Sequence, residues 1–361
     1  MNRRATRRVQ LGNVAIGNGA PVSVQTMAKC DGRDTAALLA QITTAAEAGC
    51  DILRVAVPDP ATAVALADVV KKSPLPLVAD IHFDYRLALA ALKSGVAGLR
   101  INPGNIGGRD AIRAVVAEAK PCRAPIRIGV NGGSLEKDLL EKHGGATAEA
   151  LVESAMRHVA LLEAEDFHDI KISVKASDIE RTIAAYRLLA GQTDCPLHLG
   201  LTEAGTFLAG TMRSTFALGT LLAEGIGDTL RVSLTDTPGR EVRVGVELLR
   251  MLGLRAPGAS VTSCPTCGRT QVDVRRVAEE IESRLETFYR ENPGAPRPRI
   301  AVMGCLVNGP GEARGADIAL VGGNGRFALC VKGETVASFP ESEAVARVVD
   351  GVVNGARAFS P

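Results

Sequence analysis

Short runs of β-branched and apolar residues alternate with longer stretches of helical period along the first two thirds of the chain, which is the pattern of βα units on a parallel sheet. Strands are predicted over 21–27 (PVSVQTM), 51–57 (DILRVAV), 75–81 (LPLVADI), 97–102 (AGLRIN), 125–130 (PIRIGV), 169–175 (DIKISVK), 196–202 (PLHLGLT) and 229–235 (TLRVSLT). Between them lie helical patterns such as DTAALLAQITTAAEAG, DPATAVALADVVKK, DYRLALAALKSG, ALVESAMRHVALLEAE and DIERTIAAYRLLAG, several closed by the glycine that a left-handed C-cap favours. After the eighth strand, TDTPG offers polar N-cap residues with Pro238 near the first helical turn. Eight strand–helix pairs in about 250 residues fit a TIM barrel. Periodicity does not show ring closure, so an open doubly wound sheet is the alternative.

The pattern stops at Gly253, and LRAPGAS (254–260) reads as a Pro/Gly linker. The remainder of the chain holds one amphipathic helix, DVRRVAEEIESRLETFYREN, a Pro-rich PGAPRPR, a strand RIAVMG and a glycine-rich stretch from 307 to 333. We therefore expect a barrel over 1–253, a linker over 254–260 and a small α/β domain over 261–361. The GGNG segment has no helix after it, so it reads as a hairpin turn between DIALV and FALCVK rather than a phosphate loop.

Composition narrows the function. Aromatic residues make up 3% with no Trp, which argues against base-stacking surfaces for nucleic acid. Lys plus Arg (42) nearly balance Asp plus Glu (40), so general polyanion binding is not expected. No apolar stretch is long enough for a membrane helix, and the basic start MNRRATRRVQLGN lacks the apolar core of a signal peptide. The expected location is cytoplasmic, where eight cysteines do not form a disulfide framework and clustered ones are metal ligands or redox groups. Cys30, Cys50, Cys122, Cys195 and Cys330 are scattered and read as small hydrophobes.

Two constellations carry chemistry. Arg54, Asp80 with His82, Arg100 with Asn102, Arg127 with Asn131, Lys171 with Lys175, His198 with Glu203, and Arg231 with Ser233 all fall in predicted strands or just beyond them. A lone Arg in a strand is ordinarily a salt-bridge partner. Six cations spread over several strands are costly to collect without an anionic ligand. Arg54, Arg100, Arg127, Lys175 and Arg231 suit a substrate with more than one phosphate. Glu203 is the carboxylate nearest this ring, a proton donor or cation stabiliser competing with simple salt bridging. His82 and His198 are either substrate contacts or scaffold.

The second constellation is Cys264 and Cys267 in SCPTCGRT, with Cys305 in MGCLVNGPGE. No thioredoxin-like context precedes Cys264, and no second close pair completes a four-thiolate zinc site. Spacing alone leaves iron–sulfur, zinc and structural readings open.

SCPTCGRT with MGCLVNGPGEARGADI, behind a barrel carrying HLGLTEAG and RVSLTDTP, closely resembles the 4-hydroxy-3-methylbut-2-enyl diphosphate synthase (GcpE, also IspG) family of the non-mevalonate isoprenoid pathway, in its short bacterial-type form. The resemblance covers essentially the whole chain. It implies a TIM barrel followed by a small α/β iron–sulfur domain, with a 4Fe-4S cluster on Cys264, Cys267 and Cys305 and with Glu312 on the fourth iron. A carboxylate is a harder, more exchangeable ligand than thiolate, which suits an iron that must open to substrate. The implied reaction is reductive opening and dehydration of 2-C-methyl-D-erythritol 2,4-cyclodiphosphate to the linear allylic diphosphate. Electrons would come from reduced flavodoxin or ferredoxin. One departure stands out: the family usually has a Thr/Asn-rich loop after the first strand, whereas this chain reads MAKCDG at 27–32, which puts that loop's polar contacts in doubt and leaves the role of Cys30 open. The rival reading is a phosphate-ligand transferase of the dihydropteroate synthase type with a zinc-stabilised interaction module. A radical-SAM enzyme is disfavoured because no tight three-cysteine motif sits near the first strand.

Chain direction adds an expectation about assembly. The eighth helix should end at the face opposite the catalytic rim, and the seven-residue linker spans at most about 25 Å against a returning helix of about 20 Å. A head-to-tail homodimer, in which each cluster domain caps the partner's barrel, resolves this, and the resemblance implies the same arrangement.

Overall fold

The structure, a computed structural model, describes residues 2–102, 105–307 and 309–354, except for the side chain of Glu312. The chain divides into two compact units, Met1–Arg255 and Ala256–Pro361.

The first unit opens with a hairpin of β1 (Val9–Leu11) and β2 (Val14–Ile16). Eight parallel strands come next: β3 (Ser23–Met27), β4 (Ile52–Ala56), β5 (Leu77–Asp80), β6 (Gly98–Ile101), β7 (Ile126–Asn131), β8 (Ile170–Lys175), β9 (His198–Leu199) and β10 (Thr229–Leu230). Their order in the sheet is β8-β7-β6-β5-β4-β3-β10-β9, and a bridge between Ile172 and Leu197 joins the two ends. The sheet is therefore a ring, and the open-sheet alternative falls away. Around it lie α1 (Thr35–Glu47), α2 (Pro60–Lys72), α3 (Tyr85–Lys93), α4 (Arg109–Cys122), α5 (Lys137–His143), α6 (Ala148–Glu163), α7 (Ile179–Ala190), α8 (Phe207–Ala223) and α9 (Pro238–Met251).

Helix starts follow from local chemistry. Asp34, Asp59, Asp84, Thr147 and Asp178 each accept a hydrogen bond from a first-turn N–H through the side chain, satisfying one of the orphan donors there. The TDTPG start differs. Pro238 occupies the first turn as expected, but Thr237 makes no side-chain cap.

The strands alternate between two environments. Ile126, Ile128 and Val130, like Ile170, Ile172 and Val174, pack outward into the continuous apolar layer under the helices. Their neighbours Arg127, Gly129 and Asn131, and Lys171, Ser173 and Lys175, face the lumen. The amino-terminal end of the lumen is closed by the hairpin, whose Leu11 and Ile16 pack on Ile52 and Val78. The strands predicted over 196–202 and 229–235 pair for only two residues each. Beyond them Arg231 N–H still donates to the Leu199 carbonyl (2.9 Å), and an added Cβ on Gly200 would lie 2.3 Å from Lys175 Nζ and 2.8 Å from Arg231 O, so the glycine leaves space for the lysine.

The basic N-terminus is structural. Arg3 donates to Asp228 Oδ1 (3.2 Å) and to the Ala20 carbonyl (2.5 Å), Arg4 donates to the carbonyls of Thr193 and Cys195, and Arg7 pairs with Asp194 and Glu163.

The second unit holds a five-stranded sheet in order β11 (Ser260–Ser263), β12 (Arg299–Met303), β13 (Ile318–Gly323), β14 (Arg326–Val331), β15 (Glu334–Pro340). The first three strands are parallel and the last two antiparallel. Helix α10 (Val274–Glu291) crosses between β11 and β12, the short α11 (Gly309–Glu312) comes after β12, and α12 (Ala344–Asn354) packs beside α10. Asn324 and Gly325 form the two-residue turn between β13 and β14, both at positive φ (51° and 69°), as a type I′ hairpin requires.

Arg3→Ala is expected to lower stability by about 1–3 kcal/mol, the range for leaving a buried polar partner short of a hydrogen bond. Buried Asp228 would keep only the Thr6 hydroxyl and the Leu197 N–H. Urea unfolding of the two proteins measures the difference.

Candidate functional site

Apart from Met27, the lumen positions of these strands above the apolar plug are mostly polar or glycine, and the register stacks them. Arg54 lies beside Met27, Asp80 beside Arg100, Arg100 beside Arg127, Arg127 beside Lys171, and Asn131 beside Lys175. Asp80, Arg100, Asn102, Arg127, Lys171, Lys175 and His198 are buried; Arg54, Asn131, Arg231 and Ser233 are half-buried at the rim. Six cationic side chains thus share the lumen with two buried carboxylates, Asp80 and Glu241.

Asp80 organises one side. Its Oδ1 accepts from Arg100 Nη1 (3.3 Å), its Oδ2 lies 3.1 Å from His82 Nε2 and 3.8 Å from Arg54 Nε. Burial alone would raise this carboxyl, but Arg54, the His82 hydrogen bond and Arg100 outweigh it and hold the group below the usual carboxylate range. Arg100 Nη2 also donates to the Gly129 carbonyl (3.0 Å). A Cβ on Gly129 would lie 2.3 Å from Arg100 Nε, so the glycine makes space for the guanidinium. Arg54 donates to Met27 Sδ (2.8 and 3.1 Å), and burial, with Asp80 opposing, pushes it down to about 10.

Glu241, in the first turn of α9, organises the other side and was not among the residues that sequence reasoning singled out. It accepts from the Thr26 hydroxyl (2.7 Å), the Leu234 N–H (2.9 Å) and Arg231 (3.4 Å), and pairs with Lys29 Nζ (2.9 Å). Lys29 comes from the unusual loop MAKCDG and also donates to the Leu234 carbonyl (2.8 Å). That loop therefore adds a cation to the rim, while Cys30 packs against the barrel's apolar layer and burial raises its thiol.

Among the described residues, no carboxylate pairs directly with the cations of the β7–β8 side. Arg127 Nη1 donates to Ser173 Oγ (3.0 Å), but its Nε and Nη2, Lys171 Nζ and His198 Nε2 are buried with no partner among the described residues. Burial, then the charges of Arg54 and Arg100, push Arg127 well below its ordinary value. Burial and nearby cations, Arg127 first among them, do so to Lys175 and His198. His198 is held by Thr229 Oγ1 at Nδ1 (2.8 Å). Glu203 is exposed at the rim, adopts φ +53°, and joins none of the ion pairs of the described residues. A non-glycine residue in that region is a strained backbone held by its surroundings.

In the second unit, Ser263 pairs with Val302 across two parallel strands, so Cys264 and Cys305 leave the carboxyl ends of adjacent strands. The parallel pairing thereby closes the long sequence gap between them. Gly304 N–H points at Cys264 Sγ (3.3 Å). Cys267 is exposed and anchored through its N–H to Thr270 Oγ1 (2.9 Å); hydrogen bonds from the Arg269 backbone and side chain lower its thiol, while nearby Cys305 opposes. All eight cysteines lie outside any disulfide. Among the described residues, no three His, Cys, Asp or Glu side chains converge on one metal ion. A four-iron cube takes one thiolate at each corner. Three soft thiols, one with an N–H donor on sulfur and one with a lowered pKa, fit such a cube. The backbone of Glu312 ends α11, after Cys305; its side chain lies outside the described set.

Comparison with known proteins now decides the family. The GcpE TIM-barrel domain matches residues 6–246, and the GcpE protein C-terminal domain matches residues 260–354. The chain belongs to the GcpE family. The 4-hydroxy-3-methylbut-2-en-1-yl diphosphate synthase (flavodoxin) of Geobacter sulfurreducens is 55% identical over 338 residues, 94% of each chain. The protein of the same name from Symbiobacterium thermophilum is 53% identical over 350 residues, 97% of this chain and 93% of that one. Among solved structures, N-acetylneuraminic acid synthetase from Leptospira borgpetersenii has a TM-score of 0.51 at 14% identity, over 70% of this chain and 92% of that one. Type I 3-dehydroquinate dehydratase from Clostridium difficile has a TM-score of 0.50 at 15% identity, over 68% and 98%. These two share the barrel fold only. For the GcpE chain, the lumen and the thiol edge are the two places where chemistry is concentrated.

In the iron-free folded protein, Cys267 is expected to alkylate first and Cys50 last. Arg269 favours the Cys267 thiolate, and burial pushes Cys50 up to about 12. Peptide mass spectrometry after timed iodoacetamide treatment gives the order.

Proposed function

We propose that this protein is a 4Fe-4S oxidoreductase that opens and dehydrates 2-C-methyl-D-erythritol 2,4-cyclodiphosphate to 4-hydroxy-3-methylbut-2-enyl diphosphate, with reduced flavodoxin as the electron donor. One observation carries the reading: a single chain joins an incompletely compensated cationic lumen to a three-thiol strand edge, and each half matches its own GcpE domain. The dihydropteroate synthase alternative is not favoured, because the relatives that match nearly the whole chain at 53–55% identity carry the diphosphate synthase name. No helix among the described residues is long and apolar enough to cross a membrane, and we read the protein as cytoplasmic.

The lumen residues bind and orient. Arg54, Arg100, Arg127, Lys175 and Arg231 hold the two phosphates, with buried Asn102 and half-buried Asn131 and Ser233 supplying neutral hydrogen bonds. Asp80 fixes Arg54, Arg100 and His82 in place. His198, buried and held at Nδ1, offers its Nε2 toward the bound ligand. As the ring opens, negative charge grows on the departing phosphate oxygen, and pre-placed guanidinium groups stabilise it without reorganisation. Glu203, exposed and unpaired at the rim, moves the proton that dehydration requires. Cys264, Cys267, Cys305 and Glu312 hold the cluster, which when bound supplies electrons singly and offers one iron with an exchangeable ligand.

The enzyme works as a head-to-tail homodimer, the cluster unit of one protomer serving the barrel of its partner. The short reach of the linker supports this, and it makes Glu203 and Cys305 of one chain belong to different active sites.

Three outcomes test the reading. Protein purified without oxygen should be brown with about four irons per chain, and Cys305→Ser should lose iron and turnover together; a colourless protein with stoichiometric zinc contradicts it. Arg127→Met should weaken cyclodiphosphate binding about ten- to a hundredfold, the range for a charge-assisted hydrogen bond, whereas Glu203→Gln should lower kcat more than affinity. Mixing inactive Glu203→Ala and Cys305→Ser chains under subunit exchange should restore about a quarter of the activity; inactivity despite proven exchange excludes the crossed dimer.

A further inference from the structure

Lys171 is the lumen cation for which the proposed reaction has no use. It lies on β8 two inward positions below Lys175, in register with Arg127, and its side chain is buried with an unpartnered Nζ. Ser173 stands between the two lysines and is taken by Arg127. Around the lumen it faces Arg127 on β7, His198 on β9, Thr229 on β10, and the uncharged Ser23 and Gln25 on β3. Arg54 on β4, Asp80 on β5 and Arg100 on β6 complete the ring. The carboxylate that favours its charge, Asp228, is already engaged with Arg3, the Thr6 hydroxyl and the Leu197 N–H.

An ammonium in that position has no acceptor, no water-facing end and a guanidinium beside it. Arg127 cannot relieve the strain, because a guanidinium keeps its proton at neutral pH. A lysine can. Deprotonated, its amine has a lone pair, and Arg127 Nε and Nη2 are unpartnered donors on the neighbouring strand.

We propose that Lys171 is a buried proton acceptor coupled to the substrate site, neutral in the ligand-free barrel and protonated when the cyclic diphosphate seats on the cations above it. This rests on the diphosphate reading and extends it: binding takes up a proton, and Lys171 acts as a positioning residue below Arg127 rather than as a contact. Burial and Arg127 push Lys171 down to about 7, which places the change within reach of neutral pH. Two bound negative charges offset most of the positive field around it and raise it. A group protonated more strongly in the complex makes binding tighter as pH falls and weaker as it rises. Each phosphorus of the cyclic diphosphate carries one strongly acidic oxygen, so the ligand itself takes up no proton near neutral pH.

The test is calorimetry of the cyclodiphosphate with the cluster-loaded dimer, in buffers of different ionisation enthalpy. The slope of observed heat against buffer enthalpy counts protons. Wild type at about pH 8 should exceed Lys171→Met by about 0.8 proton, and the wild-type uptake should fall by about 0.7 proton between about pH 8 and about pH 6. Lys171→Met should bind about tenfold more weakly at about pH 8, the gain lost when a group can no longer protonate. Lys171→Arg, permanently charged, should show the same missing proton, so the proposal stays testable if the Met variant does not fold. Equal slopes in wild type and either variant, with binding intact, overturn the role of Lys171 alone. Failure of the wild type to bind the cyclodiphosphate overturns the diphosphate reading, and this proposal with it.

Discussion

Like charge inside a closed barrel is the constraint on which the rest of this structure depends. Two unit charges about 8 Å apart repel by about 2 kcal/mol at an effective dielectric of about 20, and this lumen holds six basic side chains with two carboxylates to offset them. The fold gives them one outlet. The wall behind the strands is a continuous apolar layer, and the amino-terminal end is plugged by Leu11, Ile16, Ile52 and Val78. Only the rim admits solvent or a ligand. A binding site for an anion is thus the place where an otherwise unfavourable charge distribution is relieved, and the stability lost in assembling it returns as affinity.

Much of this was legible from the residues. Strand alternation put Arg54, Asp80, Arg100, Arg127, Lys171, Lys175, His198 and Arg231 on inward positions, and a period of two leaves no other face for them once the outward neighbours are apolar. Helix starts at Asp34, Asp59 and Asp178 and the Asn324–Gly325 hairpin were equally plain, because each depends on local chemistry. Glu241 was not. In REVRVGVELLR it has the look of an exposed acid on an amphipathic helix, and only the approach of α9 to the ends of β3 and β10 buries it. Gly129 and Gly200 were hidden for a related reason: each is small so that a cation from the adjacent strand can lie over it.

The cysteines illustrate the limit from the other side. Spacing separated Cys264 and Cys267 from Cys305 by the whole of α10, and no local rule joins them. What joins them is parallel pairing, which sends two successive strands of a βαβ unit to the same edge of the sheet. A parallel sheet collects loops at its carboxyl edge in the second unit as it does in the barrel, so both halves of the chain use one topological device to gather distant side chains.

The placing of the two carboxylates gives the lumen a direction. Asp80 answers Arg54, Arg100 and His82 on the β4–β6 side, and Glu241 answers Arg231 and Lys29 beside β10 and β3. Arg127, Lys171 and Lys175 on β7 and β8 have no such partner, and the unpartnered nitrogens of the lumen include Arg127 Nε and Nη2, Lys171 Nζ and His198 Nε2 on this side. Cations already paired to a carboxylate are fixed in geometry but partly neutralised, so they orient a ligand more than they attract it. Unpaired cations do the reverse. An anion entering the lumen therefore meets a field that is steepest along β7 and β8, while Arg54 and Arg231 on the compensated side present a more fixed hydrogen-bond geometry. The two sides of the lumen are thus set apart chiefly by where the two carboxylates lie.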